Sequence, residues 1–155
     1  MSEKIYKHID AEDVRHRLKE SGLRPTKQRM QLGALLWGHG SRHVTAEALH
    51  RESGDMGIKV SLATIYNTLH QFTTHKLLRE VVVERGCSYF DTNVDPHHHF
   101  LHLDTGELED IPLEQVQVNH LPVPPNGTAI NSVDVIIRVA KDSRRRNAQP
   151  MPSGA

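Results

Sequence analysis

The sequence predicts an α+β protein, because the spacing of its apolar residues changes partway along the chain. Four segments with helical spacing fill residues 10–75 of the 155, whereas the segments after Lys76 alternate apolar and polar residues as strands do. The composition, 37% hydrophobic and 25% charged, is that of a globular protein and excludes a disordered chain or a fibre.

The four predicted helices begin or end at residues suited to those positions. The first covers residues 10–21 and stops at Gly22, and the second begins at Pro25 and Thr26. The third and fourth follow Thr45 and Ser61, which are good N-caps. The residues expected to form the apolar faces of the helices are Ala11, Val14, Leu18, Leu32, Leu35, Leu36, Ala46, Leu49, Leu62, Ile65, Leu69 and Phe72.

A hairpin is expected directly after the helices. Residues 77–84 and 87–91 are two β-prone runs around a turn at Gly86. Helices followed by such a hairpin have the order of a winged helix-turn-helix. We therefore expect an N-terminal winged-helix, DNA-binding domain over residues 1–91.

The rest of the chain is expected to form a small C-terminal α/β domain, mostly β. Asn, Asp and Pro gather in residues 92–96, which predicts a linker. Strands are expected at residues 97–103, 107–111, 116–121 and 133–139, and residues 141–155 read as a flexible basic tail. About 45 residues of sheet bury too little surface to be stable alone. Residues 97–140 are thus expected to depend on a metal, a partner subunit or both.

The net charge of zero hides an asymmetry between the two halves. Residues 1–85 carry +4, residues 86–140 carry −7 and residues 141–155 carry +3. The basic first half favours polyanions and the acidic, histidine-containing second half favours cations, although +4 over 85 residues also fits ordinary surface variation. No segment has the ~20 apolar residues of a membrane span, and no secretory signal begins the chain. With a single cysteine, Cys87, a cytoplasmic location is expected.

One face of the fourth predicted helix suits the major groove of DNA. This face is small and polar, and consists of Ala63, Thr64, Asn67 and Gln71, with Tyr66 at its flank. An ordinary solvated face is the commoner interpretation of any one such helix, but the hairpin that follows favours DNA binding. The residues expected to contact DNA are Arg24, Lys27 and Arg29, on the backbone, together with Ser61, Thr64, Tyr66 and Asn67.

Three consecutive histidines form the densest chemical signal. On a strand, His97 and His99 point to one side and His98 to the other. With Asp91 and Asp110 near in sequence, His97 and His99 favour Fe(II), Mn(II) or Zn(II). All three histidines are also candidate axial ligands for haem. An exposed polar strand end is the alternative interpretation.

Four motifs in order resemble the ferric uptake regulator superfamily of winged-helix, metal-responsive repressors. They are residues 22–29 (GLRPTKQR), 43–49 (HVTAEAL), 60–69 (VSLATIYNTL) and the histidine-rich strand. Within that superfamily the chain is similar to the iron response regulator branch of alphaproteobacteria. The segments that agree with this branch are residues 6–10, 66–72, 89–93, 97–100 and 121–125.

The resemblance implies a homodimer that binds an AT-rich palindromic DNA operator and represses genes of iron and haem metabolism. It implies a metal site made of His43, Asp91, His97, His99 and Asp110, and His43 becomes a candidate only in this way. In the iron response branch, haem binding at the triplet relieves DNA binding. A manganese- or peroxide-sensing repressor of the same superfamily is the alternative.

The chain departs from the family pattern at two places. A single cysteine excludes the structural zinc that many relatives hold on two CxxC pairs. Asn67 replaces the Arg that usually follows the recognition-helix Tyr, and Asn suits adenine where Arg suits guanine. We expect no enzyme, although two histidines and a carboxylate also form the triad of non-haem iron oxygenases. A metal or haem carrier without a DNA role is a third class.

Overall fold

The computed structural model describes residues 9–84 and 86–144. That part of the chain forms four α-helices, one short 3-10 helix and six strands. It divides into two compact units between Asp95 and Pro96. The first unit is mainly helical and the second mainly sheet, as the α+β prediction requires.

The four α-helices lie in the first unit, and each begins at a capped residue. They are α1 (Ala11–Glu20), α2 (Lys27–Trp37), α3 (Ala46–Asp55) and α4 (Leu62–Thr74). The side chains of Asp10, Thr26, Thr45 and Ser61 each accept a hydrogen bond from the backbone N–H three residues later. Such a cap stabilises a helix by about 1 kcal/mol. The predicted helices and the N-caps at Thr45 and Ser61 are therefore confirmed.

The helices pack their apolar faces into one core. Ten of the twelve expected core residues are buried there, joined by Trp37 and Phe90. Two expectations were wrong in degree: Ala11 is exposed and Leu62 is only partly buried. Both are the first residue of their helix, where the chain is still entering from solvent.

A three-stranded antiparallel sheet completes the first unit. Its strands are β1 (His43–Val44), β2 (Arg79–Glu84) and β3 (Cys87–Asp91), in the order β1-β3-β2. The β2–β3 hairpin turns at Gly86, whose φ of +79° suits glycine. The hairpin prediction is confirmed. β1 was not predicted, because a strand of two residues is too short to show a period.

The second unit is built on a second three-stranded sheet. Its strands are β4 (His98–His102), β5 (Leu108–Ile111) and β6 (Ile136–Val139), in the order β5-β4-β6. β5 pairs antiparallel with β4, whereas β6 pairs parallel with it. The last predicted strand is therefore confirmed only over its second half.

The strand predicted at residues 116–121 was wrong. A 3-10 helix, Leu113–Gln115, lies directly before this segment, and residues 116–135 have no regular secondary structure. Pro112 and Pro122 bracket the segment and cannot donate ladder hydrogen bonds, so alternating Val116 and Val118 were not sufficient for a strand.

No described helix has both the length and the apolar character to cross a membrane.

Candidate metal centre

Two metal-ligand candidates face each other in the first unit. The register of β1 and β3 pairs His43 with Asp91. The imidazole Nε2 of His43 lies 3.1 Å from Oδ2 of Asp91, whose side chain is fully buried. The other oxygen, Oδ1, accepts a 2.8 Å hydrogen bond from the backbone N–H of Asn93. Because a buried carboxylate needs cationic or donor partners, this pair is suited to a metal ion.

Arg42 anchors this ladder to the helices. Its guanidinium donates to both carboxylate oxygens of Glu52 in α3, at 3.0 and 2.8 Å, and to the carbonyl of Leu35 in α2. Its backbone N–H donates to the Thr92 hydroxyl, and its carbonyl accepts from the Thr92 N–H. His43 and Asp91 are thus positioned by hydrogen-bonded neighbours.

Three further candidates converge in the second unit. The register of β4 and β5 pairs His99 with Asp110. Asp110 Oδ1 lies 3.2 Å from Nε2 of His97 and 3.5 Å from Nε2 of His99. The two imidazoles are almost fully buried, with side-chain exposures of 5% and 2%. The interpretation of the triplet as an exposed strand end was therefore wrong.

Within each unit, the separations between the candidate ligand atoms are those of ligands that share an ion. Nitrogen and oxygen ligands lie about 2.0–2.2 Å from a divalent transition metal, so neighbouring ligands around it lie roughly 3.0–3.5 Å apart. Both the 3.1 Å separation in the first unit and the 3.2 and 3.5 Å separations in the second fall in this range. Mixed imidazole and carboxylate ligation suits Fe(II), Mn(II) and Zn(II).

His98 lies apart from this convergence. It points to the other face of β4 and is only 4% exposed. Its Nδ1 accepts a 3.2 Å hydrogen bond from the backbone N–H of Val135, so the neutral ring carries its proton on Nε2. His98 therefore contacts the backbone through one ring nitrogen, whereas His97 and His99 each direct a ring nitrogen at the Asp110 carboxylate.

The recognition-helix tyrosine is held by α3. The hydroxyl of Tyr66 donates a 2.6 Å hydrogen bond to Oε1 of Glu47. This bond holds the pKa of Glu47 below its ordinary value of 4.5 and raises the pKa of Tyr66 above its ordinary value of 10.0. The ring of Tyr66 stacks on His70 with centroids 6.3 Å apart. Sequence reasoning missed Glu47, because its partner is 19 residues away.

The remaining DNA-contact candidates divide into two groups. Arg24, Lys27, Ser61 and Asn67 are exposed. Arg29 already has protein partners, since it donates to the carbonyl of Arg24 at 2.9 Å and to Gln71 in α4 at 3.0 Å. Thr64 shares a 2.9 Å hydrogen bond with the hydroxyl of Ser61.

Known proteins provide the context for this geometry. The model of the Ferric uptake regulator family matches residues 20–138. The ferric uptake regulation protein of Vibrio anguillarum is 31% identical over 106 residues, which are 68% of this chain and 71% of that protein. Across this and other curated relatives of the same name, the match spans 62–71% of the relative's length.

Solved structures share the fold. The Vibrio cholerae ferric uptake regulator superposes with a TM-score of 0.64 at 24% identity, over 82% of this chain and 98% of that one. The Pseudomonas aeruginosa ferric uptake regulator with manganese gives 0.62 at 24% identity, over 83% and 97%. The predicted winged-helix domain with a mostly β second domain is thereby confirmed. The family and the curated relatives are named for regulation, in line with the expectation that the chain is no enzyme.

Proposed function

This chain belongs to the ferric uptake regulator family, and we propose that it represses genes of iron and haem metabolism. In this proposal it acts in the cytoplasm as a homodimer on AT-rich palindromic operators. Residues 1–91 bind DNA, residues 92–96 link the domains, residues 97–140 sense the effector and dimerise, and residues 141–155 form a basic tail.

The observation that carries the proposal is the convergence of His97 and His99 on Asp110. His43 and Asp91 form a second pair of candidate ligands, and Asp91 lies only six residues before His97 in sequence. We propose that one divalent ion binds all five residues. When bound, that ion would supply positive charge that neutralises the carboxylates of buried Asp91 and half-buried Asp110.

The proposed metal site would be coupled to DNA binding because its ligand residues come from both structural units. His43 and Asp91 belong to the winged-helix unit, whereas His97, His99 and Asp110 belong to the sensing unit. Ligation by both sets favours one relative arrangement of the domains over others. An effector changes the affinity for the operator only if the effector itself binds one arrangement of the domains more tightly than the others.

The proposed DNA contacts follow from exposure and hydrogen bonding. Asn67 near the start of α4 is exposed and suits adenine. Because Glu47 accepts the Tyr66 hydroxyl, we propose that Tyr66 meets a thymine methyl through its ring and not through its hydroxyl. Arg24 and Lys27 hold the phosphates, while Arg29 positions α4 through Gln71.

The proposed dimer interface is supported by apolar surface on the second unit. Its small sheet leaves several large apolar side chains in solvent, at 38–91% exposure. Burial of such a surface against a second copy stabilises a domain that is too small alone. These side chains are Leu103, Leu113, Val118, Leu121, Val123, Ile130 and Ile137.

Haem is the second candidate effector, for two reasons. The chain resembles the iron response branch, and a third buried histidine, His98, is not a ligand of the proposed ion. His98 could ligate haem through Nε2 only if its proton moved, since Val135 donates to Nδ1. His97 and His99 are the other axial candidates, and haem bound to either would compete with the proposed ion, because both are among its ligands. Manganese and peroxide sensing remain alternatives, since the same donors suit Mn(II).

A gel shift with purified protein tests the proposal. Metal-stripped protein is titrated onto an AT-rich palindromic duplex alone, with Fe(II), with Mn(II) and with haem. We expect a salt-sensitive, sequence-preferring complex whose affinity changes with one of these effectors. The variant His102→Ala is the control, because His102 pairs with exposed Glu109 outside the proposed site. Absence of any sequence-preferring complex under all four conditions rejects the proposed function.

A further inference from the structure

One polar face of α4 forms an open cleft on the surface of the first unit. Asn67, His70, Gln71 and Thr74 line it together with His75, and its volume is about 350 Å³. The four residues of α4 are three or four positions apart, so they lie on one side of the helix. All five are exposed, and no Asp, Glu, Lys or Arg is part of the lining. Such amide, imidazole and hydroxyl groups suit base edges better than phosphates.

The Gln71 side chain in this face is held by an arginine of α2. The guanidinium Nη2 of Arg29 donates a 3.0 Å hydrogen bond to Oε1 of Gln71. Its Nη1 donates a 2.9 Å bond to the carbonyl of Arg24, which fixes the guanidinium to the backbone. Because a guanidinium only donates, the amide oxygen of Gln71 must face Arg29. Within residues 9–84 and 86–144, the NH₂ group of Gln71 has no hydrogen-bond partner.

Asn67, one turn earlier on the same face, is not constrained in this way. Among the residues that the structure describes, its amide makes no hydrogen bond. Asn67 can therefore offer a donor and an acceptor together, which is the pattern that pairs with adenine. Gln71 can offer its two N–H donors, whereas any further donor at its oxygen would lie beside the positive guanidinium.

We propose that Gln71 reads a keto base in the major groove, an inference that rests on the proposed DNA-binding role of α4. Its NH₂ group donates to O6 of guanine or to O4 of thymine. The exocyclic amino groups of adenine and cytosine are themselves donors, and they are disfavoured because the Gln71 oxygen is already engaged. Arg29 is the positioning residue, since it decides which arm of the amide faces the DNA.

The two amides of this face then read different bases close together in the operator. Asn67 and Gln71 are four residues apart, which is about 6 Å along a helix and roughly two base steps of DNA. The keto base is therefore expected within about two base pairs of the adenine read by Asn67. Because every base pair joins one keto and one amino base, Gln71 selects the orientation of that pair.

Selection from a duplex library tests this inference. The library randomises both half-sites of a palindrome, and full-length wild type and variants select from it under the effector condition in which the wild type binds. For the wild type, we expect one pair at which guanine or thymine on one strand is enriched at least about fivefold over adenine and cytosine. Gln71→Glu keeps an oxygen for Arg29 but replaces the NH₂ group with a second acceptor. The preference at that pair should then reverse to adenine or cytosine.

Two further variants complete the test. Gln28→Glu makes the same change of charge at an exposed residue of α2, and should weaken binding generally without altering the preference at that pair. Arg29→Met frees the Gln71 oxygen, so adenine should become acceptable at the same pair.

The outcomes separate this inference from the proposed function. No enriched sequence with the wild type would reject both of them. An enriched wild-type sequence would overturn the inference alone under either of two results. One is a preference that Gln71→Glu leaves unaltered, and the other is a preference that Gln28→Glu alters equally.

Discussion

His43 and Asp91 face each other across the shortest strand pairing among the described residues, with Nε2 and Oδ2 3.1 Å apart. One strand of this ladder has only two residues. The pairing is held from outside by Thr92, which exchanges hydrogen bonds with the backbone of Arg42. The geometry of the first ligand pair therefore depends on residues that are not ligands.

Arg42→Met should destabilise the protein by about 1–3 kcal/mol, because it leaves the Glu52 carboxylate without its bidentate partner. Urea unfolding of the chelated protein measures this loss. The double variant Arg42→Met/Glu52→Met should recover part of it, since neither charge is then left alone. Strictly additive losses in the double variant would mean that the pair contributes no coupling.

Asn67→Ala should reduce discrimination between operator and scrambled DNA by about 1–3 kcal/mol, as expected for loss of a base contact. Lys27→Ala should weaken binding to both DNAs about equally, as loss of a phosphate contact does. It should also reduce the slope of log affinity against log salt concentration by roughly one. Fluorescence anisotropy at several salt concentrations separates the two effects. An unchanged specificity ratio in Asn67→Ala would place base recognition elsewhere on α4.

Tyr66→Phe should raise the pKa of Glu47 towards 4.5, because the hydroxyl that stabilises the carboxylate is lost. The bond's contribution to stability is present above the unfolded pKa of Glu47 and is lost as pH falls through the lowered folded value. At the other end it is present below pH 10.0 and is lost as pH rises through the raised pKa of Tyr66. Carboxyl-detected NMR measures the Glu47 titration, with Tyr89→Phe as the control. A Glu47 titration identical in wild type and Tyr66→Phe would contradict the bond.

The protein should remain folded and dimeric in strong chelator at micromolar concentration. Its single cysteine rules out a tetrathiolate zinc site, so the second unit must take its support from elsewhere. Sedimentation velocity tests this expectation, and Val123→Glu, at a 91% exposed position, should weaken the dimer if that surface is buried in it. A monomeric wild-type protein under these conditions would contradict the interface.

The sequence predicted the local features well, because they depend on near neighbours. N-caps at Thr45 and Ser61 and the turn at Gly86 are local, and all are present. The period of two along β4 also separates His98 from His97 and His99 before any fold is known.

The features that sequence reasoning missed depend on distant partners. The strand at His43 exists only because β3 lies beside it, and Glu47 gains its role from Tyr66, 19 residues later. Conversely, the apparent strand at residues 116–121 has the right alternation but prolines at its borders. Register, which joins Asp110 to His99, could not be predicted from spacing alone.

The central claim is that one ion binds His43 and Asp91 together with His97, His99 and Asp110. Isothermal titration of metal-stripped protein with Mn(II) tests it most directly, through three single variants. We expect one ion per chain in the wild type and in His102→Ala, and a loss of at least about tenfold in affinity in both His43→Ala and His99→Ala. Wild-type affinity in His43→Ala, with loss only in His99→Ala, would show that the second unit binds the ion alone and would contradict the claim.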